Sequence, residues 1–362
     1  MDTDIEVVEA LSQFYNIHWF IIYPFINNRY KPQDFDHLVK RGTLEIVHIH
    51  LTGRMRNPKN ILLFSQLLKD IKKRKPNIVY CNFSGLPYFI FIAALILKRS
   101  NTIFAAHQAE VHEGLEFKLF SRIYFKFWYS WFTYFNLFSR SQGDIFRLSY
   151  PRKVVFITPL APKNFGEHKE SQLTDKIVFF NFGTIRQNKN IICFINAACN
   201  LYEKGIKGFS IVIKGECEDW NQYKNAIRYP ELFECDIRQI DNSEIAELFN
   251  KYHYLVLPYT AVSQSGILKI ALNYNVPIIA SDLEGFKQEI VHGVTGYLFK
   301  NKDTADLEKT MECAIKEHDL KYQLLKRNQK RLVNDNYSRE SVIKGYKEMF
   351  QEIIFKNGQL GL

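Results

Sequence analysis

The sequence has no Cys-x-x-Cys pair, and its six cysteines (Cys81, Cys193, Cys199, Cys217, Cys235 and Cys313) stand at irregular intervals. That pattern excludes a zinc ribbon or a redox pair and predicts buried, reduced thiols of the kind found in cytosolic proteins. No His-Glu-x-x-His or comparable ligand spacing occurs, so no metal site is expected. Long apolar runs are also missing. The longest, Leu86 to Leu97, is too short for the roughly 20 residues a bilayer span needs, and Pro87 interrupts it early, so it reads as a buried helix. The opening Met-Asp-Thr-Asp-Ile-Glu is acidic and has no apolar core, so no signal peptide is expected. With 17 Gly and 11 Pro in 362 residues and no low-complexity stretch, collagen-like and disordered classes are excluded.

What is there is a basic, aromatic chain. The net charge is +10, 15% of residues are aromatic, and 30 are Phe. Such a balance fits an acidic partner, such as a phosphorylated substrate, anionic lipid or nucleic acid, or reflects only AT-rich coding. The basic residues are scattered and no RNA- or DNA-binding motif occurs, so nucleic acid is not expected as a partner. The length suits two domains.

Short β-rich runs alternate with helical stretches. Asn16–Tyr23, Glu45–Leu51, Asn77–Phe83, Thr102–Ala106 and Val154–Thr158 read as strands, and Asn60–Arg74 as an amphipathic helix. The polar stretch Lys163–Asp175, behind Pro159 and Pro162, is the best linker candidate. The alternation then restarts. Lys176–Phe182, Phe209–Lys214, Tyr254–Pro258 and Pro277–Ala280 are predicted strands; Ser243–Asn250, Ile267–Tyr274, Asp303–His318 and Ser338–Ile354 are predicted helices. Near-continuous apolar strands separated by helices imply parallel sheets covered on both faces, hence two doubly wound α/β domains. Ligands of such sheets bind beyond the carboxyl ends of the strands, so the site is expected in a cleft between the domains.

Three segments lie just after strands. In Gly183-Thr184-Ile185-Arg186-Gln187-Asn188-Lys189, a glycine lets backbone approach a ligand, and two cations three residues apart suit phosphate oxygens. The plainer reading is a strand–turn–helix with solvated charges. In Tyr259-Thr260-Ala261-Val262-Ser263-Gln264-Ser265-Gly266, a small polar loop leads into a helix whose first-turn N–H groups form a phosphate seat. There the plainer reading is a serine N-cap. In His107-Gln108-Ala109-Glu110-Val111-His112-Glu113-Gly114, a polar loop could touch a sugar or an acceptor hydroxyl.

Together these pieces resemble the GT-B-fold retaining glycosyltransferases of family 4 (glycosyl transferases group 1). Gly183, Arg186 and Lys189 match the family's Gly-x-x-Arg-x-x-Lys, while Asn275–Ser281 and His292–Leu298 are close to its usual wording. The likeness is specific over about 176–300 and weaker over 100–160, where His107 falls at the family's sugar-contacting histidine. It implies an α/β GT-B fold, with two doubly wound Rossmann-like domains facing across a cleft. These are an acceptor domain over 1–162, a nucleotide-sugar domain over 163–336 and a terminal helix in 337–362 that returns to the first domain. It also implies Arg186, Lys189 and His107 as catalytic residues; Gly183, Ser263, Gln264, Ser265 and Gly266 as the donor-phosphate site; and His112 and Glu113 as acceptor or sugar contacts. The implied substrates are a UDP- or GDP-sugar donor and a saccharide or lipid-linked acceptor, used without a metal or other cofactor.

The sequence departs from the family at three places. The usual glutamates eight residues apart fall at Val262 and Ile270, although a subgroup with Ser-Gln-Ser-Gly at this loop also lacks the first. The opening strand and its glycine loop are missing, the reading starting instead with a helix at Ile5–Phe14; a start site downstream of the family's is the expectation. Thr184 and Asn190 replace an often basic and an often glycine residue.

Within 117–132, Lys118, Arg122 and Lys126 share one helical face while aromatics fill the others, which fits a helix lying in an anionic membrane interface or, more plainly, a core helix. The function expected is transfer of a sugar to a saccharide acceptor, lipid-linked in this reading, in cell-surface polysaccharide synthesis, in a cytoplasmic protein peripheral to the inner face of the plasma membrane. The alternatives are a catalytically degenerate GT-B scaffold subunit and a nucleotide-sugar epimerase.

Overall fold

The computed structural model describes residues 2–25, 30–39, 42–54, 57–82, 87–107, 109, 118–160, 162–167, 176–262 and 264–359. The chain divides into two compact units. One is formed by residues 1–160 and 339–362, the other by residues 161–338.

The first unit opens with α1 (Asp2–Leu11), followed by β1 (Ile17–Tyr23) and β2 (Leu44–His50), which pair in parallel as a two-stranded sheet. Then come α2 (Lys59–Lys73), β3 (Val79–Cys81), α3 (Pro87–Ile96), β4 (Thr102–Ala106), α4 (Lys118–Trp131), β5 (Tyr134–Leu137), α5 (Arg140–Ser149) and β6 (Val154–Ile157). Strands β3 to β6 form a parallel sheet in chain order. All of β4 and β5 is buried, the pattern of strands covered on both faces. Buried Asn136 on β5 is satisfied by donating to the Tyr80 hydroxyl (2.8 Å) and by exchanging hydrogen bonds with the Thr158 hydroxyl.

The second unit contains β7 (Ile177–Phe182), α6 (Ile191–Glu203), β8 (Phe209–Lys214), the one-turn α7 (Asn221–Lys224), β9 (Phe233–Asp236), α8 (Asn242–Lys251), β10 (Tyr254–Leu257), α9 (Gly266–Asn273), β11 (Ile278–Ser281), the one-turn α10 (Glu284–Lys287), β12 (Gly296–Phe299), α11 (Thr304–Lys316) and α12 (His318–Tyr337). Its six strands are parallel in the order β12-β11-β10-β7-β8-β9. The chain therefore lays β8 and β9 on one side of β7, then crosses back to lay β10, β11 and β12 on the other. The last helix, α13 (Arg339–Gln359), belongs to the first unit, where Val342, Tyr346, Met349 and Ile353 are buried.

Two sequence expectations change in detail. Leu86–Leu97 is not uniformly buried: within α3, Phe89, Ile90 and Ala93 enter the core, while Phe91 and Leu95 are 45% and 82% exposed. The aromatics of 123–132 mostly fill the core. Tyr124, Trp128, Tyr129 and Phe132 are buried, and among the described side chains of that stretch Ile123, Lys126 and Ser130 are exposed. An all-round aromatic helix has enough apolar area to bury several faces, and the sheet takes the largest rings.

One buried histidine makes the second unit acid-sensitive. His253 accepts a hydrogen bond on Nδ1 from the Val178 N–H (3.0 Å) and packs against His318 and Tyr322. Burial, then the nearby His318 and Lys326, lowers its pKa to about 4. Its neutral form is favoured by folding, so this contribution is intact above the unfolded value near 6.5 and is lost as pH falls from there towards about 4. We expect acid-limb melting curves to show a loss on the order of 2 kcal/mol that His253→Asn, which keeps an acceptor for Val178, flattens.

Candidate active site

Crossing over at β7 leaves a gap in the helix layer beyond the carboxyl ends of β7 and β10, the place where doubly wound sheets bind ligands. Both loops that carry predicted phosphate residues leave the sheet there. The first follows β7. Gly183 has φ +108°, and Gly215, after β8, has φ +148°. A side-chain carbon on Gly215 would lie 2.1 Å from the Gly183 carbonyl oxygen, so the two loop backbones are in contact. The Gly183 N–H donates to the Lys214 carbonyl (3.0 Å) and the Ile185 N–H to the Glu216 carbonyl (2.8 Å), which extends the strand pairing past the sheet.

That extension aims Arg186 outward from extended backbone and places Lys189 in a short 3-10 turn, Gln187–Lys189. Asn190 then takes the left-handed conformation (φ 50°, ψ 43°), which asparagine tolerates better than most residues. The replacement of an often-glycine residue by asparagine is thus compatible with the backbone.

The second loop follows β10. Its Thr260 N–H donates to the Asn188 carbonyl (2.9 Å), and the Ser281 hydroxyl donates to the Tyr259 carbonyl (2.7 Å), so the loop is tied to both neighbouring strand ends. Ser265 is the N-cap of α9: its Oγ accepts from the Leu268 N–H at 3.2 Å. The earlier N–H groups of Gly266 and Ile267 have no acceptor inside the helix. Lys189 joins the loops, its Nζ lying 3.6 Å from the centroid of the Tyr259 ring. Burial, and then the charge of Arg186, pulls Lys189 down to about 8, while Tyr259, almost fully buried, is raised by burial.

The structure thus brings Gly183, Arg186, Lys189, Gln264, Ser265 and Gly266 to one end of one sheet. Ser263, His112 and Glu113 lie outside the described residues. The positions of the family's glutamates are apolar and packed: Ile270 is buried in the core and Val262 lies against it.

His107 belongs to the first unit, at the end of β4. Its Nε2 is 3.1 Å from Asn82 Oδ1, and Asn82 Nδ2 donates to both carboxylate oxygens of Asp4 on α1, at 2.9 and 3.1 Å. The ring lies tilted 4.9 Å from that of Phe138. Its outer edge is exposed, while the protein packed around it lowers its pKa against the opposing pull of Asp4. Sequence reasoning found His107 but not its partners, which lie 25 residues from it and a further 78 apart. It also missed Tyr259 as the platform for Lys189. Among the described residues, no group of three or more His, Cys, Asp or Glu is placed to hold a metal ion, and no helix is long and apolar enough to cross a membrane.

Residues 176–317 match the family model described as Glycosyl transferases group 1. Over nearly the whole chain the fold is similar to solved glycosyltransferase structures. A glycosyltransferase from Rickettsia africae ESF-5 has TM-score 0.71 at 14% identity, covering 98% of this chain and 94% of that one. Anabaena Alr3699/HepE in complex with UDP and glucose has TM-score 0.71 at 11% identity, covering 97% and 95%. Sucrose-phosphate synthase (tll1590) from Thermosynechococcus elongatus has TM-score 0.74 at 12% identity, covering 97% and 92%. No curated protein sequence is similar enough to this chain to count as a match. The chain has the α/β architecture of the GT-B glycosyltransferases, and the segment that matches the group 1 model lies within the second unit.

The glycine contact offers a direct check. Gly215→Ala forces carbon into a carbonyl oxygen that cannot yield, and is expected to cost about 2–3 kcal/mol in denaturant unfolding. Gly205→Ala, at φ +79° with nothing within 4 Å of the added carbon, is expected to cost only about 1 kcal/mol.

Proposed function

We propose that the chain moves a sugar, with retention of anomeric configuration, from a UDP- or GDP-sugar to a saccharide acceptor. In this reading the acceptor is lipid-linked and the product serves cell-surface polysaccharide synthesis. The observation that carries the proposal is the convergence of Arg186, Lys189 and the first-turn N–H groups of α9 on one sheet end, inside the segment that matches the glycosyltransferase model. The donor class draws support from HepE, solved with UDP and with UDP-glucose.

The reaction breaks the bond between the anomeric carbon and the β-phosphate oxygen, and forms a bond from that carbon to the acceptor oxygen on the same face. The acceptor proton passes to the departing phosphate oxygen, so no carboxylate pair of the glycosidase kind is needed. Negative charge grows on the leaving diphosphate. Arg186 offers a planar fork to it, Lys189 a compact charge, and Gly266 and Ile267 fixed N–H donors; such preorganised stabilisation of developing charge is worth about 3–4 kcal/mol per donor. These protein cations take the place of a metal ion. The first unit takes the acceptor, with His107 touching a sugar hydroxyl from a position held by Asn82 and Asp4. Ser263 belongs to the same phosphate loop, and His112 and Glu113 to the acceptor side. A degenerate scaffold subunit is the second reading, favoured by the apolar residues at Val262 and Ile270.

Thermal shift with UDP, GDP and ADP tests the donor site. Stabilisation by one of them is expected, with affinity falling about tenfold or more in Arg186→Ala and Lys189→Ala. No response to any of the three sinks the reading, whereas binding without turnover on any nucleotide sugar selects the scaffold. Because Lys189 loses its proton above about 8, diphosphate affinity should be full below that pH and decline above it, and Lys189→Arg should remove the decline.

The acceptor half predicts membrane contact. Phe91 and Leu95 on α3 and Ile123 on α4 are exposed beside the Phe91–Phe127 ring contact (4.4 Å), with exposed Lys126 one turn further along and Arg99 stacked on Trp131. Leu95→Glu with Ile123→Glu is expected to reduce sedimentation with anionic vesicles severalfold while leaving nucleotide binding unchanged; equal sedimentation rules the surface out.

A further inference from the structure

We infer that Tyr259 is a positioning residue of the candidate site, whose ring holds the Lys189 ammonium where a diphosphate would meet it. Tyr259 follows β10 by two residues and is 1% exposed, so its ring has no freedom to turn towards solvent. The Phe286 ring packs against it with centroids 5.5 Å apart, and the Ser281 hydroxyl donates to its carbonyl at 2.7 Å. Its hydroxyl end lies beside Ser265, the N-cap of α9. The loop after β7 is tied in register with it. Thr260, the next residue, donates its N–H to the carbonyl of Asn188, the residue before Lys189 (2.9 Å). That bond brings the Lys189 stem over the ring, and Nζ stops 3.6 Å from the ring centroid. Tyr259 thus reaches from the cation of one loop to the helix start of the other.

A lysine has a flexible stem, and fixing it costs rotamer freedom unless something attracts the head. No carboxylate among the described residues pairs with Lys189, and its charged neighbour is Arg186, which repels it. Burial and that repulsion both favour loss of the proton. The electron-rich face of Tyr259 opposes them, because a cation over an aromatic ring is attracted by the ring's charge distribution. Unlike a carboxylate, the ring attracts the ammonium without cancelling its charge, so an arriving phosphate has no ion pair to break. The ring takes one side of the ammonium and leaves the N–H groups of the other side for a ligand. The charge is then in place before the anion arrives, as preorganised stabilisation requires.

The inference rests on the donor reading above, and the test separates the two. Isothermal titration is run on the full chain across a pH series, with whichever of UDP, GDP and ADP binds the wild type. Wild-type affinity declines as Lys189 loses its proton at about 8. In Tyr259→Leu the midpoint of that decline is expected about one pH unit lower. Affinity then falls about fivefold at pH 8 and stays within about twofold at pH 6. Tyr259→Phe keeps the ring and should keep the midpoint, whereas Lys189→Arg combined with Tyr259→Leu should remove the decline. Unliganded melting checks that each variant folds, with Tyr259→Met standing in if the leucine variant does not. A midpoint unmoved or raised, with or without a uniform loss of affinity, overturns the positioning role while leaving the donor site standing. If the wild type binds no nucleotide, the donor reading falls and the seat of Lys189 is judged without ligand. Trace acetylation of Lys189, read by mass spectrometry over the same pH series, then decides. A lower midpoint in Tyr259→Leu than in wild type supports the role of the ring, and an equal or higher one overturns it.

Discussion

The backbone contact between Gly183 and Gly215 is the constraint on which the candidate site depends. The pairing of β7 and β8 continues past the sheet with Gly215 pressed against Gly183, where a single carbon added to Gly215 would meet the Gly183 carbonyl oxygen. Because the pairing continues, Ile185 is fixed as though it were strand, Arg186 stays extended, and Lys189 enters its turn already directed at the Tyr259 ring. The neighbouring loop is then held by the Asn188 carbonyl, and the start of α9 follows from it. Sheet topology chooses the place, since the crossover at β7 opens room beyond exactly these two strands; the glycines make the place usable.

The electrostatics of that place are deliberately unbalanced. Neither Arg186 nor Lys189 forms an ion pair among the described residues, whereas many of the protein's other cations do. Burial makes the Lys189 charge costly, and the Tyr259 face offsets part of that cost without neutralising it. A contrasting arrangement stands about one turn along α9. Lys269 on α9, buried, is paired with Glu289 at 2.7 Å and lies over the Tyr337 ring, so its charge is spent inside the protein. Lys269 thus holds the scaffold together, whereas Lys189 keeps its charge outside any ion pair among the described residues.

Much of this could be read in the sequence, for physical reasons that vary by element. Thr102–Ala106 and Phe209–Lys214 are strands with the bounds the sequence predicts, because each is an apolar run cut off by polar or glycine residues. Strand β9, Phe-Glu-Cys-Asp, went unread; it is a short edge strand whose middle residues are exposed, so it carries no apolar run. Helix α12 is polar over most of its length and rests on few buried residues, so periodicity says little there. In the aromatic segment the helix was legible but its buried face was not, because rings occupy nearly every face and spacing cannot rank them. Likewise, nothing local links Asp4 to His107, which meet through Asn82 only when three distant elements pack.

The return of α13 bears on how the chain is made. Its apolar side chains, from Val342 to Ile353, complete the first unit, and its N-terminal Arg339 pairs with Glu9 on α1 at 3.0 Å. During synthesis the first unit therefore emerges early yet waits for α13, which follows every strand of the second unit in the chain. The order of folding runs opposite to the order of sequence, and the nascent chain carries an unfinished apolar surface through most of translation. Removing α13 would bare the apolar face it covers in the first unit while leaving every strand and helix of the second unit in place.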